Sequence, residues 1–484
     1  MEQANYKALY EDLKPAYDQL KHELEQLKKF VFGSKHERFV PATAPEQLSL
    51  GLQPEESIPA PAVIQQITYN RKQAEEKKNV PHRMPLPAHL PRETVVIEPA
   101  ESVEGCVKIG EEVTEELEYA PGKLFVRRYV RPKYARKQGE GIAVASLPPR
   151  PIEKGIAGPR LLAQVIIDKF LDHLPVYRQI QRFEREGVKL PASTIADWIS
   201  TTCTLIEPLG VLLRSKTLAS GYIQADETTI PVLDKDKKGS THRGYYWVYN
   251  DPINKRVLFD YREGRGREGP FECLKDFKGF LQCDGYEAYE DFKTRPGLTV
   301  LHCMAHARRK FDEALSSDRQ RAERVLALMQ KLYATERKAK ELQLSPQDIV
   351  LLRQKEAVPV LEELKIWMIE AYKQVLPQSP IARAISYSLT RWKELCVYTT
   401  DGTLQIDNNK VENAIRPVAL GRKNYLFAGS HQAAVRAAMI YSLLGTCKLH
   451  EINPADWLYD VLNRIAQHPI NRLEELLPDK WKKS

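Results

Sequence analysis

Gly221-Tyr-Ile-Gln-Ala-Asp226, Gly244-Tyr-Tyr-Trp-Val-Tyr249 and Arg256-Val-Leu-Phe-Asp-Tyr261 follow one another as runs of β-branched and aromatic residues. Their spacing predicts an antiparallel meander. A short helix over 270–277 comes next, then Gly279-Phe-Leu-Gln-Cys-Asp284, a helix from about Tyr286 and an apolar strand over 298–303. The order β-β-β-α-β-α-β is that of an α/β domain. Asp226 is expected to close the first strand and Asp284 the fourth. With these strands side by side, both carboxylates would emerge at one end of the sheet.

This element order resembles the ribonuclease-H-like fold. Two carboxylates held together repel, and divalent cations best stabilise their joint ionisation; hard oxygen donors favour magnesium. Two such ions about 3.5–4 Å apart activate an attacking oxygen and stabilise a leaving one during phosphodiester displacement. A third carboxylate completes such a cage, and Glu412 in Ile406-Asp-Asn-Asn-Lys-Val-Glu412 is the candidate, on a helix that Asp407 or Asn408 can cap.

Gln224-Ala-Asp226-Glu-Thr-Thr229, Gln282-Cys-Asp284-Gly-Tyr286, Cys303-Met-Ala-His306-Ala-Arg-Arg-Lys-Phe311 and the run from Ile406 through Arg416-Pro-Val-Ala-Leu-Gly-Arg-Lys-Asn-Tyr-Leu-Phe-Ala-Gly-Ser430 resemble the transposases of the insertion sequence 66 family. The resemblance extends from Phe32-Gly33 to about Leu462. It implies a DDE transposase in which Asp226, Asp284 and Glu412 bind two magnesium ions (manganese being an alternative), free a transposon 3′-OH with water and then direct that 3′-OH at target DNA. It also implies accessory proteins encoded by the same element. Because two transposon ends must meet, a homodimer or higher oligomer on DNA is expected.

Asp284 and Glu412 lie 128 positions apart, too far for a minimal core of this kind. Residues 318–396 read as helical, with Ser345-Pro346 and Ser379-Pro380 each placing an N-cap before a first-turn proline. This predicts a helical insertion at about 312–400. Trp367 and Trp392 could stack on an unpaired base, although packing in the helical core is the commoner use of tryptophan.

Toward the N-terminus, Tyr6, Leu13, Leu20 and Leu27 alternate with Tyr10, Tyr17, Leu24 and Val31 on a heptad, predicting a coiled-coil helix. Pro15 starts its reliable part near Lys14. Residues 40–99 are proline-rich and read as a linker. Residues 113–135 change to period two around Pro121-Gly122, as a β-hairpin does. Between 119 and 139 lie seven cations (Lys123, Arg127, Arg128, Arg131, Lys133, Arg136 and Lys137) and no acid, a candidate phosphate-binding strand. The family commonly has paired CxxC motifs before this hairpin, but only Cys106 stands here, so no zinc is expected. Farther on, a helix over 176–186, a turn at Gly187-Val-Lys-Leu190 and a helix capped by Ser193 and carrying Thr194, Ile195, Trp198 and Ile199 read as a helix-turn-helix that contacts DNA. The expected division is a coiled-coil helix (1–39), linker (40–99), basic hairpin module (100–150), helix-turn-helix-like region (151–205), catalytic domain (206–450) and helical tail (451–484).

The 484 residues suffice for several domains, and seven scattered cysteines do not resemble a secreted disulfide framework. No apolar run is long enough to span a bilayer and Met1-Glu-Gln-Ala-Asn-Tyr6 does not resemble a signal peptide, so a cytoplasmic, nucleoid-associated protein without a membrane partner is expected. Gly264-Arg-Gly266-Arg-Glu-Gly269 matches a dinucleotide-binding pattern, but it follows a polar strand end and precedes a short helix. Cys283, His302, Cys303 and His306 give at most half a metal site. A transposase-derived DNA-binding regulator and a structure-selective nuclease are the alternative functions. The net charge of +8 hides two basic windows, the second running from 413 to 450 with Arg416, Arg422, Lys423, Arg436, Lys448 and no acid. Arg416, Arg422 and Lys423 directly follow Glu412, where DNA phosphates would approach.

Overall fold

In the computed structural model, the described residues are 149–153, 155–234 and 239–483, preceded by 122, 124, 126, 133–135 and 142–144. The coiled-coil helix, the linker and Arg127, Arg128, Arg131, Arg136 and Lys137 lie outside them. Strand β1 (Lys133–Ala135) pairs antiparallel with β2 (Ile142–Val144). Lys133 therefore sits on a strand whose partner follows it in the chain, where the sequence predicts a hairpin centred on Pro121-Gly122.

Three helices come next: α1 (Pro159–Phe170), α2 (Val176–Arg185) and α3 (Ala192–Leu218). Gly187, at φ +81°, makes the turn between α2 and α3 that only glycine adopts without strain. Pro191 rather than Ser193 holds the N-cap position of α3, because its fixed φ of −62° suits the extended residue that precedes a helix. The helix does not stop after the short element read from the sequence. It runs 27 residues, with Ile195, Trp198, Cys203, Ile206, Leu209 and Leu213 buried at helical spacing along one stripe.

The sheet follows as β3 (Tyr222–Leu233), β4 (Thr241–Asp251), β5 (Arg256–Arg262), β6 (Gly279–Cys283) and β7 (Leu298–His302), in the order β5-β4-β3-β6-β7. The first three strands form the antiparallel meander, and β6 and β7 add parallel to it. Side chains alternate strictly: Tyr246, Val248, Val257 and Phe259 enter the core on one face, while Trp247, Tyr249 and Leu258 enter that on the other. Helix α4 (Glu268–Cys273) and a 3-10 helix (Glu287–Thr294) link β5, β6 and β7.

Beyond β7 the chain is helical: α5 (Met304–Ala314), α6 (Arg319–Glu341), α7 (Pro346–Leu352), a π turn (Arg353–Ala357), α8 (Val358–Tyr372), α9 (Pro380–Thr390) and α10 (Trp392–Cys396). Ser345 and Ser379 are the expected caps, their hydroxyls accepting from the N–H of Asp348 and Ala382 at 3.2 Å. These helices pack around Phe311, Met329, Leu364 and Ile385 in a core that also takes in Tyr222 of β3 and Leu301 of β7. The chain then returns to the sheet as α11 (Asn409–Tyr425), α12 (His431–Leu449) and α13 (Pro454–Arg464). Helix α12 covers the sheet edge: Ser442 and Thr446 hydroxyls accept from the β5 N–H groups of Phe259 and Val257 at 2.8 and 3.2 Å.

Candidate active site

Parallel pairing of β3 with β6 sets Tyr222 opposite Phe280, Ile223 opposite Leu281 and Gln224 opposite Gln282. Continued two residues, the same register brings Asp226 level with Asp284. Asp284 follows the last residue of β6 as expected, but Asp226 lies inside a strand that continues to Leu233. Its position is fixed by the neighbouring strand end, not by its own.

Burial pushes the Asp226 carboxyl up to about 7, opposed by the Glu227 N–H, which donates to its Oδ1 at 2.7 Å, and reinforced by the charges of Glu227, Asp284 and Glu412. The three predicted acids thus share one electrostatic neighbourhood. Asp284 Oδ1 accepts from the Tyr286 N–H at 2.9 Å. Glu412 occupies the first turn of α11; its Oε1 is buried without a hydrogen-bond partner, 3.8 Å from His306 Nε2 and 3.7 Å from Arg309 Nη2. Among the described residues, no three His, Cys, Asp or Glu side chains close around a point that one metal ion could occupy.

Because the folded value of Asp226 lies above its ordinary 3.8, its contribution to stability is complete below about pH 4 and declines as the pH rises through about 7. Asp226→Asn is expected to remove that decline. Thermal melts without divalent ions should show the variant more stable than the parent at pH 8 and the difference fading toward pH 4.

A fourth carboxylate, unassigned from the sequence, stands beside these acids. The Glu227 side chain is 7% exposed; burial raises its pKa, while Arg265 lowers it by donating from Nε to Oε1 at 2.9 Å. The Arg265 guanidinium also lies 3.9 Å above the Tyr286 ring. Gly264-Arg-Gly-Arg-Glu-Gly269 therefore delivers a cation to the acid cluster, and the helix it opens has only six residues.

A buried polar network holds the segment that leads to the third acid. Gln224 Nε2 donates to Gln282 Oε1 at 2.9 Å and to the Asp407 carbonyl at 3.0 Å, and Gln282 Nε2 donates to the Gln405 carbonyl at 2.8 Å. Asn250 holds Gln224 Oε1 at 3.1 Å, and Tyr222 Oη accepts from the Gln405 N–H at 3.2 Å. Each glutamine precedes a candidate acid by two residues and, by strand alternation, ties it to the segment that enters α11. Gln282→Leu leaves the Gln405 carbonyl without its side-chain donor and takes one acceptor each from Gln224 and Tyr222, and is expected to cost about 1–3 kcal/mol in urea unfolding. The end of α9 holds the other side: Tyr387 on the helix donates to the Asp284 carbonyl, and Arg391, which follows it, donates from Nη2 to that of Gly285 at 3.3 Å. Gly285 has φ +85°, and a Cβ there would lie 2.5 Å from Arg391 Nε.

Cys283, His302 and Cys303 are buried and packed. Cys283 Sγ lies 3.6 Å from His302 Nδ1, and Cys303 Sγ accepts from the Asn408 N–H. Trp367 and Trp392 are half-buried, the former beneath the Arg324 guanidinium. Arg422 is engaged by Thr229, its Nη1 lying 2.6 Å from the Thr229 hydroxyl, whereas Arg416 and Lys423 are exposed. Thr194 is half-buried in the first turn of α3.

Comparison with known proteins places residues 154–436 in a family described as "Transposase IS66 family" and residues 442–478 in its "IS66 C-terminal element". Residues 19–95 match "Transposase C of IS166 homeodomain". Among curated proteins, "Uncharacterized protein y4hP" of Sinorhizobium fredii (strain NBRC 101917 / NGR234) is 33% identical over 96% of this chain and 89% of its own length. "Uncharacterized protein y4jD" of the same organism is 32% identical over 96% and 94%. Residues 104–135 match the "zinc-finger binding domain of transposase IS66", which corrects the expectation of no zinc. That expectation counted thiols alone, but zinc is also bound through imidazole and carboxylate, and Cys106 stands in this segment among several glutamates.

Proposed function

This chain belongs to the IS66 family of transposases, and from that membership we propose that it cuts the 3′ ends of its own element and joins them to target DNA, with Asp226, Asp284 and Glu412 as the catalytic acids. The observation that carries this reading is the shared register of Asp226 and Asp284 on adjacent parallel strands, with Glu412 close enough for its charge to raise the Asp226 pKa. A ribonuclease-H-like core interrupted by a helical insertion at about 312–400 accounts for the order of strands and helices.

The donor set fits magnesium: all three side chains offer hard oxygens, and Glu412 Oε1 is buried without a hydrogen-bond partner. Divalent ions held by these residues would polarise the phosphodiester and lower the pKa of the attacking hydroxyl. The chain's own residues supply the positioning. Gln224 and Gln282 hold the approach to α11, Tyr387 and Arg391 hold the backbone at 284–285, and Arg265 offsets the charge of Glu227.

The remaining parts fall into DNA-handling roles. Thr194 and the two-helix unit read the element's end, with the basic segment holding Arg127, Arg128, Arg131, Lys133, Arg136 and Lys137 on its phosphates. Arg416, Lys423 and, once released from Thr229, Arg422 meet phosphates near the acids. Two protomers bring two ends together, assisted by proteins of the same element, in the cytoplasm at the nucleoid. No helix among the described residues is long and apolar enough to cross a membrane.

The test incubates the purified chain with labelled end DNA, target plasmid and magnesium. Nicked ends and joined products that vanish on chelation are expected. Nicks without joining would favour the nuclease, and binding without either product the regulator.

A further inference from the structure

The acids alone make a poor site for DNA. Asp226, Glu227, Asp284 and Glu412 repel a phosphodiester, so the strand must be held by cations beside them. The described residues offer such a place between α5 and α9. A cavity of about 270 Å³ opens at Asp284 and is lined by Tyr286, His306, Arg309, Lys310, Glu313 and Tyr387. A second, of about 540 Å³, shares Lys310, Glu313 and Tyr387 and extends to Pro380 and Arg383, so the groove carries one acid among its cations. Together they form one groove leading away from the acid.

Its cations are available. Among the described residues Lys310 pairs with the exposed Glu313 alone, at 3.4 Å, a pairing that solvent leaves weak. Arg383 is exposed and, among the described residues, has no carboxylate partner within ion-pair distance. Arg309 is half exposed and stands 3.7 Å from Glu412, where the groove joins the acids. Tyr387 forms the wall between, its hydroxyl committed to the Asp284 carbonyl and one face covered by Arg391.

The geometry points to this groove as the path of the DNA strand being cut, with Arg309, Lys310 and Arg383 on successive phosphates leading to the scissile one at Asp284. This rests on the transposase reading and adds to it a binding site on the helical region, separate from the two basic windows of the sequence. Arg309 has a double position. Bound to a phosphate, it no longer faces Glu412.

The test measures binding of the full chain to fluorescent duplex DNA carrying the element's terminal inverted repeat across a salt series. Lys310→Ala and Arg383→Ala are each compared with Arg308→Ala, an exposed neighbour on α5 that does not line the groove. The slope of log affinity against log salt should shrink by about 0.7–0.9 for each groove cation removed and stay unchanged in Arg308→Ala. Unchanged slopes in the groove variants, equal losses in all three, or no binding by the parent would overturn the proposal. The two readings fail separately. A parent that cuts and joins DNA with groove-independent slopes removes the groove and keeps the transposase chemistry; groove-dependent binding without cutting does the reverse.

Discussion

Asp226→Asn and Asp284→Asn will each stop end cutting, lowering the single-turnover rate at least about a thousand-fold, or about 4 kcal/mol of transition-state stabilisation. Both changes keep size and shape while removing a negative oxygen donor, so the loss would belong to chemistry rather than to folding. Asp226→Asn makes that separation sharpest. It relieves a buried carboxylate whose pKa burial has raised to about 7, so the inactive variant should melt above the parent at pH 8 in the absence of divalent ions. Circular-dichroism melts beside a gel assay of labelled end DNA check both halves. A variant that cut at the parent rate would remove Asp226 from the reaction.

The largest effect on stability is expected at Arg353, on the π turn between α7 and α8. Its side chain is 3% exposed. Nε donates to Glu336 Oε1 at 2.8 Å and Nη2 to Oε2 at 2.6 Å, while the guanidinium reaches the carbonyls of Tyr398, Asp401 and Leu404 at 2.7, 2.8 and 2.9 Å. One residue thus fastens the helical region to the segment that leads, through Gln405 and Asp407, to Glu412. Arg353→Ala leaves a largely buried carboxylate and three carbonyls unpaired, for an expected cost of about 3–5 kcal/mol in chemical denaturation. Lysine recovers only part of this, since a single ammonium cannot replace a planar fork that reaches four partners. A change below about 1 kcal/mol would mean that the segment is held by its apolar contacts instead.

The strands of the sheet are legible in the sequence because β-branched and aromatic residues come in short runs separated by turn residues, and Ser345 and Ser379 because serine before proline is a strong local signal. The extent of β3 is not. Asp226 and Glu227 read as an end, yet Ile230 and Val232 beyond them enter the same core as Tyr246 and Val248, and burial outweighs the low strand propensity of the acids. Helix α3 is longer than its local pattern for the same reason: Ile206, Leu209 and Leu213 extend one buried stripe past Pro208.

At the candidate site, motif order singles out Asp226, Asp284 and Glu412 as the proposed acids, Glu412 also by the helix that carries it. Glu227, Gln224, Gln282 and Arg353 are not singled out, because their roles arise from partners far away in the chain. Gln224 meets Asp407 across 183 positions and Gln282 meets Gln405 across 123. The only local trace is the repeat of glutamine two residues before each aspartate, and its meaning requires knowing that the two strands are parallel neighbours. The zinc expectation failed similarly, by counting one ligand type within one stretch of sequence.

Glu412 is the acid whose catalytic role most needs testing, because its carboxylate faces His306 and Arg309 rather than closing with Asp226 and Asp284 around one point. Single-turnover cutting of the element's end in magnesium by Glu412→Gln is therefore the most direct measurement. Loss of cutting with DNA binding retained is expected, whereas cutting at the parent rate would contradict a site built from these three acids.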